Sequence, residues 1–311
     1  MKRLVISLPT RFRRPTLAVG GALLLGGALM LSGCAGGAAA TKDDAGGGSS
    51  RADHQRQLTD AVDAYVQEHP GLIASVSVRH GDETLDYGTD HRYQTASIVK
   101  LEILVRWLML RQDDKLPHDE YQLAERMITA SDNDATSHLC QILAPKTKKD
   151  AVPGGTDACV GDSTWGTDLT TADGQRQVLQ AAFGTTLLNA DSRAVVKKLM
   201  GTVEPTQDWG VSAAAADGEK TWLKNGWDIR DNGWITHSDG VVDAADGHLI
   251  YLSILTNGND TEAKGISHVE ELATITRDAL SLRGRAFQAS VADSVGVVDD
   301  APPRGPMVRI G

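Results

Sequence analysis

Residues 97–111 read SIVKLEILVRWLMLR, and this stretch decides the architecture. Wound as a helix, it carries apolar residues on nearly every side, which describes a helix enclosed within a protein rather than one lying on its surface. Near its start, Ser97 and Lys100 are three residues apart, so they share a face one turn apart and within hydrogen-bond reach. A serine hydroxyl is a poor nucleophile until a base takes its proton. A lysine whose pKa is depressed by burial and by a second cation can be that base. The pair alone recurs by chance in many chains, and Ser97 could equally cap its helix.

Outward from this helix, residues 53–68 place Leu58, Ala61, Val62, Tyr65 and Val66 at helical spacing, stopped by Pro70-Gly71. Leu72–Val78 reads as a strand, with Thr84–Tyr87 as its hairpin partner across His80-Gly81-Asp82. Downstream, helices over about 119–129 and 134–143 flank Ser131-Asp132-Asn133, and another follows near 191–200. Three strand-like runs come next, Glu219–Asn225, Gly233–Val242 and His248–Thr256, then a helix over about 265–282. Strands grouped at both ends, with helices between, predict an α+β fold. One antiparallel sheet would draw its strands from both ends, with an all-helical lobe inserted in the middle. The cleft between two such lobes is where a small molecule would bind.

Three elements in this order carry the chemistry: Ser97-Ile98-Val99-Lys100, Ser131-Asp132-Asn133 and Lys224-Asn225-Gly226. Together they resemble the S-x-x-K, S-D-N and K-T-G motifs of the class A β-lactamase and penicillin-binding-protein superfamily. The longer stretches Thr95–Lys100, Met127–Ala135 and Lys224–Trp227 are similar to an actinobacterial branch of β-lactamase-like serine hydrolases. The resemblance covers roughly 55–282 and implies a β-lactamase/transpeptidase-like fold with helices on both faces of the sheet. It implies Ser97 as the acyl-accepting nucleophile, Lys100 as its general base and Ser131 as a proton relay to the leaving group. Asn133 would bind the substrate amide and Lys100. Lys224 would face the substrate carboxylate and help to keep Lys100 neutral. Asn225 and Gly226 would line the substrate site, and the backbone N–H groups of Ser97 and Trp227 would form the oxyanion hole. Asp132 would brace its loop. Taken singly, Ser131-Asp132-Asn133 could be a cap and turn, and Asn225-Gly226 could punctuate a hairpin.

Two departures from the family pattern bear on activity. Class A β-lactamases activate the deacylating water with an omega-loop glutamate. Between Cys140 and Trp165 this chain has no glutamate, only Asp150, Asp157 and Asp162. In the third motif, Asn225 replaces the hydroxyl residue that helps to bind a β-lactam carboxylate. The next strand offers no arginine, only His237, read as an exposed strand histidine. Efficient β-lactam turnover is therefore not expected, and the reduced anion pocket predicts a substrate with a different end group or slow acylation. The competing expectation is a non-catalytic or acylation-only wall-associated binding lipoprotein on the same scaffold.

The chain has 311 residues and a net charge of −10, but the charge is uneven. The first 34 residues hold five basic side chains and no acid, which leaves the remainder with 26 basic against 41 acidic residues. An acidic body with no basic run is a poor nucleic-acid binder, so that class is excluded. Residues 17–31, LAVGGALLLGGALML, follow the basic start as a signal-peptide h-region, too short to span a bilayer. Leu31-Ser32-Gly33-Cys34 resembles the lipobox of bacterial lipoproteins, which makes residues 1–34 a signal peptide and Cys34 the lipidation site. The expected location is outside the cytoplasm, anchored to the bacterial cell membrane, by either export route. Residues 35–52 read as a Gly/Ala/Ser-rich tether, 53–288 as the serine hydrolase domain and 289–311 as a disordered tail.

Cys140 and Cys159 are then an even pair in an oxidising compartment, expected as a disulfide, with two separately buried thiols as the alternative. Neither cysteine has ligand-like neighbours, and the histidines lack ligand spacing, so no metal and no cofactor are expected. Asn257–Asp260 reads as a turn before the last helix. A monomer acting on a small molecule or a peptidoglycan peptide is the expectation.

Overall fold

The computed structural model describes residues 51–161 and 164–280. The expected signal peptide with Cys34, residues 35–50 of the tether, Asp162 and the tail 289–311 lie outside the described residues. Five strands form one antiparallel sheet: β1 (Ile73–His80), β2 (Glu83–Tyr87), β5 (Lys220–Arg230), β6 (Gly233–Asp243) and β7 (Leu249–Asn259). Their order is β2-β1-β7-β6-β5, so strands from both ends of the chain meet at the β1–β7 pair. This is the sheet that the grouping of strands in the sequence implied.

Strand alternation divides the sheet into two faces. Ala74, Val76 and Val78 of β1 and Leu252 and Ile254 of β7 bury against α1 (Arg51–Glu68) and α7 (Glu262–Ala279). The opposite face turns to α2 (Val99–Arg111) and to the helices that follow, α3 (His118–Thr129), α4 (Asn133–Leu143), α5 (Ala172–Phe183) and α6 (Ala190–Met200). Every residue from Val99 to Leu108 is buried, as the all-round apolar pattern requires, and that run includes Lys100, Glu102 and Arg106. Two of those charges are paired: Arg106 lies 2.9 Å from Glu102 and 2.8 Å from Asp157. A disulfide joins Cys140 of α4 to Cys159, the pairing expected from the cysteine count.

Three features differ from the sequence reading. Lys224-Asn225-Gly226 lies within β5, which pairs with β6 from Lys220↔Asp243 to Arg230↔Gly233, so Asn225-Gly226 punctuates no hairpin. The turn comes instead at Asp231-Asn232, where Gly233 takes a left-handed φ of 107° that suits glycine. Helix α5 had no strong signal, because alanines and glutamines dilute its apolar period. It is set by Thr171, whose hydroxyl caps the N–H of Gly174. The buried helix itself starts two residues later than expected. Ala96–Ile98 forms a 3-10 turn ahead of Val99, and this turn carries Ser97.

Candidate active site

Ser97 sits in a strained and clamped turn. Ala96, just before it, has φ 43°, a left-handed conformation that costs a non-glycine residue free energy and persists only where the surroundings impose it. The surroundings here are the segment after Trp165. Ala96 N–H donates to the Gly166 carbonyl at 2.9 Å, and Thr95 N–H donates to the Asp168 carbonyl at 3.0 Å. The two-stranded ribbon of β3 (Tyr93–Gln94) and β4 (Leu169–Thr170) extends the same clamp. Ser97 is half-buried, and its side chain does not cap the helix.

Lys100, one turn on, is fully buried, and its ammonium is turned toward the loop between α3 and α4. It donates to the Ser131 carbonyl at 2.7 Å, to Ser131 Oγ at 3.1 Å and to Asn133 Oδ1 at 2.7 Å. These bonds use its three protons, so the expected bond to Ser97 is not formed in this arrangement. The Trp165 ring lies 5.0 Å from Nζ. Burial pushes the Lys100 pKa down to about 7, against the upward pull of the Asp132 carboxylate.

The Ser131-Asp132-Asn133 turn is built to present these acceptors. Ser131 takes φ 54°, a second strained non-glycine residue. Asp132 caps α4 by accepting from Ala135 N–H at 2.9 Å and pairs with Arg126 at 3.5 Å. The backbone bond from Ala135 holds its carboxyl below the usual range. That is the bracing role expected for it. Asn133 opens α4 and is exposed, with Oδ1 on Lys100.

Lys224 reaches the same turn from the edge strand β5. Fully buried, its Nζ donates to Ser131 Oγ at 3.0 Å and to the Asn225 carbonyl at 2.7 Å. Burial and then the neighbouring Lys100 charge hold its pKa well below the ordinary lysine value. Gly226 brings β5 against the turn that carries Ser97. A Cβ placed on it would lie 2.8 Å from Ser97 N and 2.7 Å from Ile98 N, so the strand approaches this closely only as glycine. Trp227 follows half-buried, its ring 5.8 Å from that of Trp209.

Asn225 differs from expectation. Strand alternation points it to the opposite face from Lys224, where it is 1% exposed. Its side-chain amide donates to the carbonyls of Gln207 and Trp209 at 2.8 and 3.0 Å. It therefore tethers the 205–210 loop instead of facing a ligand. His237 is also not the exposed histidine the sequence suggested. It is fully buried, with Nε2 3.0 Å from the Gln94 carbonyl and Nδ1 accepting from Thr256 N–H at 3.3 Å. Burial pushes its pKa down to about 4, so it is neutral near pH 7 and offers no charge to a carboxylate.

Among the described residues of the segment between Cys140 and Trp165, no carboxylate contacts Lys100. Asp157 is engaged by Arg106 Nη2 and by Asp150 N–H, and the 165 position brings an indole. Sequence reasoning missed Trp165, Gly166, Trp209 and Asp239. Of these, Asp239 left a signal, a carboxylate within an otherwise buried strand. Among the described residues no group of three or more His, Cys, Asp or Glu side chains could hold a metal ion.

No protein-family model matches the chain and no curated protein is similar to it. Solved structures do match. A mutant of PBP-A, in acyl-enzyme complex with penicillin G, aligns with a TM-score of 0.61 at 18% identity, covering 73% of this chain and 97% of its own. A class A β-lactamase from Mycobacterium abscessus aligns at 0.58 with 16% identity, over 73% of this chain and 99% of its own. One from Bacteroides cellulosilyticus gives 0.58 at 13%, over 74% and 99%. With its sheet order, its inserted helices and these alignments, the chain has the α+β fold of the class A β-lactamases and PBP-A.

Proposed function

We propose that this protein is a serine acyl hydrolase, lipid-anchored through Cys34 outside the cytoplasm. It forms an acyl-enzyme at Ser97 with a β-lactam, a cell-wall peptide or a related amide or ester. Neutral Lys100 takes the Ser97 proton as the hydroxyl attacks the carbonyl. Ser131 passes a proton to the leaving nitrogen and is reprotonated by Lys100, which leaves the amine neutral again. The N–H groups of Ser97 and Trp227 stabilise the oxyanion, Asn133 orients the substrate amide, and Lys224 faces its carboxylate.

One observation carries this reading: the amines of Lys100 and Lys224 meet at a single oxygen, Ser131 Oγ, at 3.1 and 3.0 Å. A lysine at about pKa 7 beside a helix-start serine is the base that acylation needs. Release of the acyl group is slow, because among the described residues it is an indole, that of Trp165, that stands over Lys100. The reading in which the protein only binds, or stops after acylation, draws on one observation. All three Lys100 protons are taken by Ser131 and Asn133, and none by Ser97.

The full-length protein and its Ser97→Ala variant, treated with a fluorescent penicillin and a chromogenic cephalosporin, separate these outcomes. The proposal expects a long-lived label on the parent, none on the variant and slow cephalosporin hydrolysis. Rapid hydrolysis contradicts the slow release, a label with no cephalosporin hydrolysis supports the reading that stops after acylation, and absence of both label and hydrolysis supports the binding reading.

A further inference from the structure

One row of residues crosses the entire sheet on the face turned to α2 and α5. The registers pair Lys224 with Asp239, Asp239 with Ser253, Ser253 with Ser77 and Ser77 with Asp86, so a single line runs from β5 to β2. Lys224, Asp239, Ser253 and Ser77 are all at 0% exposure. The far end is closed by hydrogen bonds. Ser77 donates to Asp86 Oδ1 at 2.5 Å and accepts from Arg176 Nε at 2.8 Å. The near end is open. No hydrogen bond of ordinary geometry reaches either oxygen of the buried Asp239 carboxyl, and the Ser253 hydroxyl beside it gives only weak support to the ionised form. A buried carboxylate without partners is costly unless a charge nearby compensates it.

Lys224 is the cation that Asp239 meets. Next on α2 comes Lys100, linked to Lys224 through Ser131, whereas Glu102 and Arg106 of that helix turn to Thr156 and Asp157. On β6 the same-face neighbour His237 is neutral, and on β7 the titratable neighbour is Tyr251, whose pKa burial raises. From α5, Arg176 is spent on Ser77 and Gln180, and Asp86 of β2 lies at the far end of the row.

Resting on the proposed function, we infer that Asp239 is a positioning residue for Lys224: its buried carboxylate, across the strand, holds that lysine as the ammonium that faces the substrate carboxylate and Ser131. No proton passes from Asp239 to substrate, and its effect is electrostatic. Burial and Lys100 both push Lys224 toward the neutral amine, and Asp239 is the group that opposes them. In the other direction, burial raises the Asp239 carboxyl to about 7 against Ser253 and Lys224. The pair therefore works near neutrality, and removing the carboxylate lets the lysine lose its proton at lower pH.

The test is the pH profile of acylation by fluorescent penicillin in the full-length protein, its Asp239→Asn variant and its Ser253→Ala variant. The alkaline limb in Asp239→Asn should move to lower pH by about one unit or more. The Ser253→Ala limb should move in the same direction by less, because losing that hydroxyl raises the Asp239 carboxyl without removing it. A purely structural role would lower the Asp239→Asn rate alike at every pH, and an unmoved limb overturns the inference. A second measurement holds if that variant does not fold: carbon NMR of the parent with labelled aspartate carboxyls. One aspartyl carbon should titrate near neutrality and shift to higher pH in Lys224→Gln. An aspartyl set with none titrating above about pH 6, or one indifferent to Lys224→Gln, overturns the inference. This titration needs no acylation, so a parent that takes no penicillin counts against the proposed function while the Asp239 test stands.

Discussion

Lys100 and Lys224, far apart along the chain, donate to the same oxygen, the Ser131 hydroxyl, at 3.1 and 3.0 Å. Two desolvated ammonium groups this close disfavour each other's charge, so one of them is readily neutral. The contact depends on Ser131 adopting a left-handed φ of 54°, imposed by the Asp132 cap that starts α4.

Removing the shared oxygen should disable proton transfer without unfolding the site. Ser131→Ala is expected to slow acylation by roughly 10²–10⁴-fold, the usual contribution of a positioned proton carrier. Stopped-flow labelling with fluorescent penicillin measures this, with circular dichroism to check the fold.

The pH dependence follows from Lys100. Its amine must be neutral to accept the Ser97 proton, so acylation should rise with pH through about 7, up to the alkaline limb on which Lys224 loses its proton. Stability moves the same way. Between about 7 and the unfolded lysine value near 10.4, the unfolded state binds the extra proton, so raising pH favours the folded state. Over that window the parent should gain on the order of a few kcal/mol relative to Lys100→Met, read from denaturant midpoints at successive pH values.

Asn225 is expected to matter for stability through the loop it tethers. Asn225→Ala strands the buried carbonyls of Gln207 and Trp209, at a cost of about 1–3 kcal/mol. Trp209 packs on Trp227 beside the site, so the substitution should also weaken penicillin capture. Thermal melts and labelling rates report the two effects.

Gly226→Ala should lower both stability and acylation rate, read by thermal melts and by penicillin labelling. The new Cβ would press on Ser97 N and Ile98 N at 2.8 and 2.7 Å, both backbone atoms with no rotamer to yield. Strand and turn must part, at about 1–3 kcal/mol of stability. The proposed oxyanion donors, Ser97 N–H and Trp227 N–H, separate with them, which should cost roughly 10²-fold or more in acylation rate.

Much of the fold was legible because its signals are local. The enclosed helix was visible in SIVKLEILVRWLMLR, and its residues Val99–Leu108 are indeed all buried. The two groups of strands implied a sheet joining the chain ends, and β1 pairs β7. What stayed hidden was set by neighbours distant in sequence. The burial of His237 follows from Gln94 and Tyr93 closing over it. The outward turn of Asn225 follows from strand alternation once Lys224 is anchored at Ser131. The three motifs announced Ser97, Lys100, Ser131 and Lys224, but nothing in their spacing marked Trp165, which approaches through the clamp on Ala96. Asp239 was overlooked because a single acid in a strand carries no motif.

The identity of the acylated atom decides whether Ser97 is the nucleophile. Full-length protein treated with penicillin, then digested with trypsin, is analysed by tandem mass spectrometry. One added penicilloyl mass is expected on the peptide Tyr93–Lys100, assigned to Ser97 and absent from Ser97→Ala. An adduct on any other residue, or an unmodified Ser97 after prolonged exposure, would contradict it.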